Sequence, residues 1–379
     1  MHYFFEIGGG QDLISVILNI ALFIIIFISF FFSQKIQAWR SARNLTNALK
    51  LLSEWRDICK KSLEDKCAEF SKGIMTSKEI TAKINEILNF VTIMPTELDP
   101  PIIPRLTMIL EQREDRFSDL IREIAPQANV HQLKNLVNAT EALNLINGFY
   151  LQIRHFLELG RKTRSMLLLL NIEMQLTTIM ETSKAFVLAT ESFLNGTPIG
   201  DSIGPLSIAY LVRELNNGNT VESREIAQDT ILQQMSFEGR DLLLIRARGP
   251  GGFTGRPGTA ITKLIEQYGS EIKLVLTVDA NLKLEGEKTG SVAFGVGAAM
   301  GGVGVEKYKI ESSIIPQNTK LEAIIVKVSL DESITTMRKE IFDSLPNISK
   351  ILKREIRKNT AEHDKVIIAG IGNTIGIEL

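Results

Sequence analysis

The sequence has few of the residues that make disulfides and metal sites. Its 379 residues include two cysteines and four histidines. Cys59 and Cys67 lie in one helical pattern, about two turns apart, where a disulfide is poorly placed. No Cys/His cluster has zinc spacing, so no structural zinc site is expected.

An excess of one charge is also lacking, since 43 basic residues oppose 44 acidic ones. The whole-chain charge gives no argument for nucleic acid, and none is expected as a partner. No Ser/His/Asp set is evident, because His363 is the only histidine of the C-terminal region and reads as a solvated loop residue. The glycine-rich segments fit neither a Walker motif nor a Rossmann fingerprint.

One long apolar run is present near the start. Residues 13–33 carry no charge, and twenty helical residues at about 1.5 Å each span the roughly 30 Å hydrocarbon core of a bilayer. The run therefore predicts a transmembrane helix that contacts membrane lipid. A buried core helix is the alternative, which the length and the all-round apolarity disfavour.

The charges around this run predict its orientation. Four basic residues follow it before the first acid, Glu54, and no lysine or arginine precedes it. The positive-inside rule places residues 1–12 outside the cell and the rest of the chain in the cytoplasm. Trp39 fits an anchor at the membrane interface. We therefore expect a single-pass protein of the cell membrane.

Two helical regions are predicted next. Residues 34–75 have mixed charge and helical periodicity, which indicates a juxtamembrane helix. Residues 76–195 begin with a capping box, Thr76 to Glu79, and contain few glycines. They are predicted to form an all-α helical domain.

Residues 196–379 have the pattern of an α/β domain. Short apolar runs alternate there with helical patterns, which favours a three-layer domain with a mostly parallel sheet, similar to phosphorylase- and hydrolase-like folds. Ligands bind beyond the carboxyl ends of strands in such sheets. The predicted strands cover 241–246, 273–279, 320–328 and 365–372, and the predicted helices cover 203–215, 258–268 and 333–360.

Two aspartates occupy positions typical of sites in this architecture. Asp201 lies in the loop Asn195–Pro205, which contains Gly200 and Gly204 and enters a predicted helix. A helix-capping role is its simplest interpretation. Asp279 ends an apolar strand, where it is either an active-site carboxylate or a turn former.

Two glycine-rich segments are candidate ligand loops. The segment Arg248–Gly258 follows a predicted strand and opens a helix. Its glycines, Gly251 and Gly252 among them, and its arginines, Arg248 and Arg256, could cradle a phosphate or carboxylate. The segment Phe294–Gly304 is a mobile lid, a groove for a substrate chain or a tightly packed connection.

The motifs resemble the superfamily of hydrogenase-maturation proteases and spore germination proteases. That superfamily has a G-x-G-N strand end, an acid before a small residue and Ile/Leu-Gly, and a second acid after an apolar strand. The matching segments here are Gly370-Ile-Gly-Asn373, Asp201-Ser-Ile-Gly-Pro205 and Thr277-Val-Asp-Ala280. The G-x-G-N strand comes last here, which implies a circular permutation. The whole chain also resembles an archaeal family of membrane-anchored proteins of unknown function.

The resemblance implies a catalytic pair, Asp201 and Asp279, with Gly370, Gly372 and Asn373 beside it. It implies peptide hydrolysis and a protein or peptide substrate. The histidine that joins the nickel-binding acids of the hydrogenase branch has no counterpart between Asp279 and Pro316, so nickel is not expected. No metal ligand or cofactor is identified, and metal dependence is left open. The alternatives are a scaffold derived from this fold and a phosphate-binding enzyme or sensor. Oligomeric state is left open.

Overall fold

A computed structural model describes residues 11–95, 102–216, 221–302 and 304–378. The chain divides into two compact units. The first comprises Met1–Glu54 and Gly148–Glu181, and the second comprises Trp55–Asn147 and Thr182–Leu379. The helical domain predicted over 76–195 thus contributes to both units, and the α/β region falls within the second.

The first unit consists of parts of three long helices, which are α1 (Gln11–Ser71), α4 (Val130–Thr163) and α5 (Met166–Asn195). Helix α4 continues to Thr163, and the chain turns at Arg164 before α5 begins. Arg164 has a φ of 52°. The amide of Ser165 bonds to the carbonyl of Gly160 at 3.1 Å, which is the closing bond of a Schellman motif.

The predicted membrane segment lies within α1. The structure joins residues 13–33 and the predicted juxtamembrane helix into this one element. Among the described residues, no helix meets the length and apolarity that crossing a membrane requires. Large apolar side chains are nevertheless exposed along the segment, with Phe23 at 70% and Phe32 at 60%. The predicted extracytoplasmic residues 1–10 lie outside the described residues.

The second unit begins with a helical core. The capping box at Thr76 is confirmed, because its hydroxyl and the carboxylate of Glu79 bond reciprocally to main-chain amides at the start of α2 (Ser77–Leu88). α2 and α3 (Ile102–Ile124) bury apolar side chains against α1 and the nearer ends of α4 and α5 within this unit.

A seven-stranded mixed sheet forms the rest of the second unit. The order is β1-β2-β3-β7-β4-β6-β5. Strands β3, β7, β4 and β6 are parallel neighbours, while β1, β2 and β5 pair antiparallel at the two edges. The mostly parallel sheet predicted from sequence is therefore limited to the centre. The strands are β1 (Ser223–Ala227), β2 (Thr230–Phe237), β3 (Arg240–Ala247), β4 (Ile272–Leu282), β5 (Val292–Val296), β6 (Lys320–Val328) and β7 (Lys365–Gly370).

Helices cover both faces of this sheet, as the alternating pattern predicts. One face packs on α6 (Ile203–Leu215) and α11 (Leu345–Asn359), and the other packs on α7 (Pro257–Tyr268) and α8 (Val305–Ile314). Two short helices, α9 (Leu330–Ile334) and α10 (Lys339–Phe342), precede α11. The last strand, β7, occupies the middle of the sheet between β3 and β4.

Candidate functional site

Asp201 lies in a short 3-10 turn, Gly200–Ser202, immediately before α6. Its Oδ2 atom accepts a hydrogen bond from the main-chain amide of Asn373 at 2.8 Å. Asn373 follows β7 and is 172 positions away. The carboxylate therefore ties the entry of α6 to the exit of β7, a role that differs from the simple helix cap.

Asp279 lies on β4 at the point where β7 ends. The register of β4 with β7 stops at Val278 and Gly370, while Asp279 still pairs with Ile325 of β6. Its Oδ2 atom accepts a hydrogen bond from the amide of Gly301 at 3.2 Å. The side chain is only 5% exposed, so a turn-forming role on the surface does not describe it.

Glycines allow the segments that carry the two acids to approach. A Cβ atom at Gly204 would lie 1.9 Å from the carbonyl oxygen of Ile371 and 2.6 Å from that of Val278. A Cβ atom at Gly372, whose φ is 131°, would lie 2.0 Å from the carbonyl oxygen of Asp201. Contacts this short exclude any side chain. The glycines of both motifs therefore bring α6, β4 and β7 together at one edge.

Both carboxyl groups line one cavity of about 560 Å³ within the second unit. Its volume is in the range of small-molecule sites. Helices α3 and α4 supply one wall. The rest comes from the turn before α6, the β1–β2 turn, the end of β4 and the loops after β3, β5 and β7. Residues that share this lining include Glu114, Lys134, Asn138, Gly252, Phe253, Arg256, Gly301 and Gly372.

Burial raises the pKa values of both acids, and the charge of Asp201 adds to this effect at Asp279. Desolvation raises the pKa of Asp279 well above its usual range, and the charge of Asp201 raises it further, against weaker hydrogen bonds from Gly301 and Ala280. Desolvation also raises the pKa of Asp201, against the opposing bond from Asn373. In the described part of the chain, neither carboxylate pairs with a lysine, arginine or histidine. The pair is therefore expected to retain a proton at pH values where ordinary aspartates are ionised.

In the part of the cavity lined by α3 and α4, the charged side chains form ion pairs with each other. The carboxylate of Glu114 contacts Lys134 at 2.9 Å and Arg256 at 2.7 Å. Lys134 also contacts Asp229 at 3.5 Å. Desolvation acts to raise the pKa of Glu114, but the two cations outweigh it and hold this pKa below its usual value.

Replacing Glu114 by glutamine is expected to reduce the free energy of unfolding by about 1 kcal/mol at neutral pH, since the group is partly screened by solvent. A carboxylate whose pKa is lowered in the folded state stabilises the protein at pH values above its unfolded pKa of about 4.3. This stabilisation is lost as the pH falls through the folded-state pKa. The difference between variant and wild type should therefore shrink at acid pH in urea titrations. The exposed Glu285, changed to glutamine, is the control. A deficit that persists unchanged at acid pH would contradict the ion-pair explanation.

The glycine loop after β3 is fixed by helix α4. The amide of Gly252 donates to Asn135 at 2.9 Å, and its carbonyl accepts from Asn138 at 2.9 Å. A Cβ atom at Gly251 would lie 2.7 Å from the Cα atom of His131. Because the Gly252 amide and Arg256 are already engaged, two of the groups proposed for anion binding have partners within the protein.

The other predicted ligand residues are not part of the cavity lining. Gly200 packs on the carbonyl of Glu332, and Gly370 packs on that of Gly204. The exposed guanidinium of Arg248 lies 5.9 Å from the centroid of the Phe253 ring. Asn373 acts through its backbone on Asp201, and its side-chain oxygen accepts from the amide of Ile375.

Sequence reasoning did not identify the contribution of the helical region. Glu114, Lys134 and Asn138 line the cavity from α3 and α4, and no local motif marks them. The glycine-rich segment 294–304 was marked by its composition. Its residues Met300, Gly301 and Gly302 line the cavity. Among the described residues, no three or more His, Cys, Asp and Glu side chains are grouped as metal ligands.

Comparison with protein families finds two adjoining matches. Residues 19–196 match the profile described as protein of unknown function (DUF1512) N-terminal domain. Residues 199–378 match the profile described as domain of unknown function (DUF1512) C-terminal. A search of the curated proteins finds no match. The cavity with its two carboxyl groups is built from residues of both matched regions.

Proposed function

We propose that this chain, which belongs to the family defined by the two DUF1512 domains, is a hydrolase that uses Asp201 and Asp279 as a catalytic pair. One observation carries the proposal. Two carboxyl groups from distant segments line the same cavity, and the described residues provide neither with a basic partner. Desolvated carboxylates without a partner cost stability, and such perturbed groups in a cleft are characteristic of functional sites.

The two acids differ in ways that suggest distinct roles. Asp279 is the better candidate for the protonated acid, because both burial and the charge of Asp201 raise its pKa. Asp201 is the better candidate for the base, because the Asn373 amide supports its ionised form. Asn373 and Gly301 are then positioning residues that hold the two carboxylates through main-chain amides.

These roles define a hydrolytic step. Asp201 takes a proton from a water molecule as the water oxygen bonds to the carbonyl carbon of the substrate. Asp279 gives its proton to the carbonyl oxygen, so no free negative charge develops there. When the tetrahedral species breaks its C–N bond, the departing nitrogen receives the proton held by Asp201. Asp279 recovers its proton as the new carboxyl group forms.

A peptide is the substrate class that we propose. The resemblance of the Asp201, Asp279 and G-x-G-N motifs to the germination proteases supports it. The cavity of about 560 Å³ has an apolar component, with Leu110, Val137, Phe253 and Met300 in its lining. Its volume is sufficient for a short stretch of peptide rather than a folded protein. The paired charges of Glu114, Lys134 and Arg256 add a polar part to this lining.

The test is hydrolysis of a mixed-sequence peptide library by the full chain in water enriched in ¹⁸O. We expect the label in the new carboxyl termini of the products, identified by mass spectrometry. The matched control is the variant with both Asp201→Asn and Asp279→Asn, prepared in parallel. Equal cleavage by both proteins would identify a contaminant, and no cleavage by either would favour the scaffold alternative.

The pH dependence of kcat/KM is expected to be bell-shaped. The rising limb reports loss of the Asp201 proton, and the falling limb reports loss of the Asp279 proton. Because both pKa values are raised, both limbs should lie above the ordinary aspartate value of about 3.9. A maximum below that value would contradict this assignment. Rates measured in buffers of constant ionic strength provide the test.

We also propose that residues 13–33 attach the chain to the cell membrane as a single-pass anchor, with the second unit in the cytoplasm. The uncharged run and its exposed apolar side chains support this proposal. The expected result is that the full chain sediments with membranes and resists extraction by alkaline carbonate. Recovery of the chain in the supernatant after carbonate treatment would contradict an anchor that spans the bilayer.

A further inference from the structure

A second cavity lies in the first unit, between the early part of α1 and the turn that joins α4 to α5. It is a groove of about 710 Å³. Four of its lining residues are cations, Lys35, Arg43, Arg161 and Arg164, and its lining contains no Asp or Glu. We call this the basic groove. Nothing in the proposed hydrolytic mechanism uses it.

The four cations of the basic groove are not neutralised within the described part of the chain. None of them has an ion pair there. The nearby carboxylate of Glu173 is engaged, since it accepts hydrogen bonds from the hydroxyl of Ser41 and, at 2.7 Å, from the amide of Asn44. Arg161 donates to the hydroxyl of Thr46 at 3.0 Å, which leaves its charge uncompensated. Four such cations around one groove create a positive potential that attracts anions.

The backbone at Arg164 supplies a second, independent observation. Arg164 has a φ of 52°, at a helix end where glycine normally occupies the left-handed conformation. A long side chain at such a position carries a conformational cost, and residues of this kind are concentrated at functional sites. The exposed arginine lines the groove.

The surroundings of the groove indicate where the anion comes from. Lys35 lies one turn of α1 beyond Phe32, the last of the exposed apolar residues in the run from Val16. Trp39 also lines the groove, is 62% exposed and lies 5.4 Å beneath the guanidinium of Arg43. Along α1, apolar surface is followed by cations and tryptophan. A helix that leaves the hydrocarbon core of a bilayer and enters the headgroup region has this order of residues.

We infer that the basic groove binds the phosphate of an anionic phospholipid headgroup. Lys35, Arg43, Arg161 and Arg164 contact the phosphate oxygens, and Trp39 lies beside the glycerol region. The inference goes beyond the hydrolase proposal. It rests on the proposed membrane attachment only for the source of the phosphate.

The experiment measures binding of short-chain phosphatidylglycerol, below its micelle-forming concentration, to the full chain in nonionic detergent. The chain contains two tryptophans, so a Trp55→Phe background leaves Trp39 as the fluorescent reporter. We expect a saturable change with phosphatidylglycerol and a much weaker one with phosphatidylcholine of equal chain length. Raising salt from about 0.1 M to about 1 M shortens the screening length from about 10 Å to about 3 Å and should weaken binding.

Two variants test the groove itself. One basic side chain near an anionic lipid surface contributes a factor of about five in binding. The double change Arg43→Gln and Arg161→Gln should therefore weaken phosphatidylglycerol binding about 25-fold. Arg43→Lys with Arg161→Lys should retain most of it. The control changes two exposed cations of the second unit, Arg213 and Lys350, to glutamine and should bind as wild type does.

Several outcomes would overturn the inference. Equal binding of the two lipids, or unchanged binding by the glutamine pair, would show that the groove does not select an anionic headgroup. Saturation by inorganic phosphate at the same concentration would identify a free anion as the ligand. Because the lipids are soluble and the chain is in detergent, a negative result here is distinct from failure of the carbonate-extraction test.

Discussion

Replacing Asp279 by asparagine is expected to lower kcat for peptide hydrolysis by about 10²- to 10⁴-fold. Asparagine preserves the shape of the side chain and can still accept the amide hydrogen of Gly301, which now lies 3.2 Å from the Asp279 carboxylate. It cannot supply the proton to the carbonyl oxygen of the substrate. Asp201→Asn should cause a loss of similar size, because it removes the base. The measurement is single-turnover hydrolysis of a peptide identified in the library.

The same change at Asp279 should stabilise the folded protein. A carboxyl group whose folded-state pKa is raised favours folding below its unfolded pKa, and this contribution is lost as pH rises through the folded value. Asp279 is such a group, because its pKa is raised in the folded protein. At neutral pH the variant should therefore be more stable than wild type by about 1–2 kcal/mol, with a gap that widens as pH rises. Urea unfolding at several pH values measures it.

Loss of activity with gain of stability separates a catalytic acid from a structural one. The control is Asp343→Asn, which changes an exposed aspartate and should alter neither property. An Asp279→Asn protein that is both inactive and less stable would mean that the carboxylate supports the fold. Full activity in that variant would remove Asp279 from the mechanism and leave the cavity as a binding site.

Replacing Gly204 by alanine is expected to destabilise the second unit by about 3 kcal/mol or more. The new methyl group would lie 1.9 Å from the carbonyl oxygen of Ile371 and 2.6 Å from that of Val278. Both neighbours are main-chain atoms of the central strands or their ends, which cannot rotate away. Gly370→Ala should have a similar effect, since its Cβ atom would lie 2.3 Å from the carbonyl oxygen of Gly204.

A third glycine provides the matched control for this prediction. Gly148 lies inside α4, and a Cβ atom there would meet nothing within 4 Å. Alanine at that position should stabilise the helix by about 0.5–1 kcal/mol. Urea titrations of the three alanine variants should thus shift in opposite directions. An unchanged midpoint for Gly204→Ala would show that α6 can move away from the sheet without cost.

Sequence patterns predicted the elements that are apolar and internally regular. The predicted helix 203–215 has the bounds of α6, and the four predicted strands correspond to β3, β4, β6 and β7. All of these bury continuous apolar side chains in the second unit. Burial on both faces leaves a strong signal in sequence, because nearly every residue of a central strand must be apolar.

The patterns failed where polar or unusual residues carry the structure. Strand β1 is largely exposed and β5 contains Gly295, so neither has the apolar run of a central strand. The turn at Arg164 has no sign in the sequence, because arginine is not typical of a left-handed conformation. Favourable tertiary contacts can hold such a residue, and single-residue propensities do not record them.

The site was predictable only in part for the same reason. Local motifs drew attention to Asp201 and Asp279, and the structure places both at one cavity. The motif glycines were expected to contact ligand, whereas Gly204 packs on the backbone of Ile371 and Val278 and Gly370 packs on the backbone of Gly204. The helical wall with Glu114 depends on packing between residues more than a hundred positions apart, for which the sequence offers no local sign.

The central position of β7 has a consequence for synthesis of the chain on the ribosome. The other six strands are made before β7, yet β3 and β4 pair with β7 rather than with each other. Until residues 365–370 emerge, β3 and β4 each present an unpaired edge, the kind of surface that promotes aggregation. The amide of Asn373 that holds Asp201 also arrives only then. A nascent chain is therefore exposed to misassembly from the time that β3 and β4 are made until β7 follows, and it acquires the carboxylate pair only after β7 has been made.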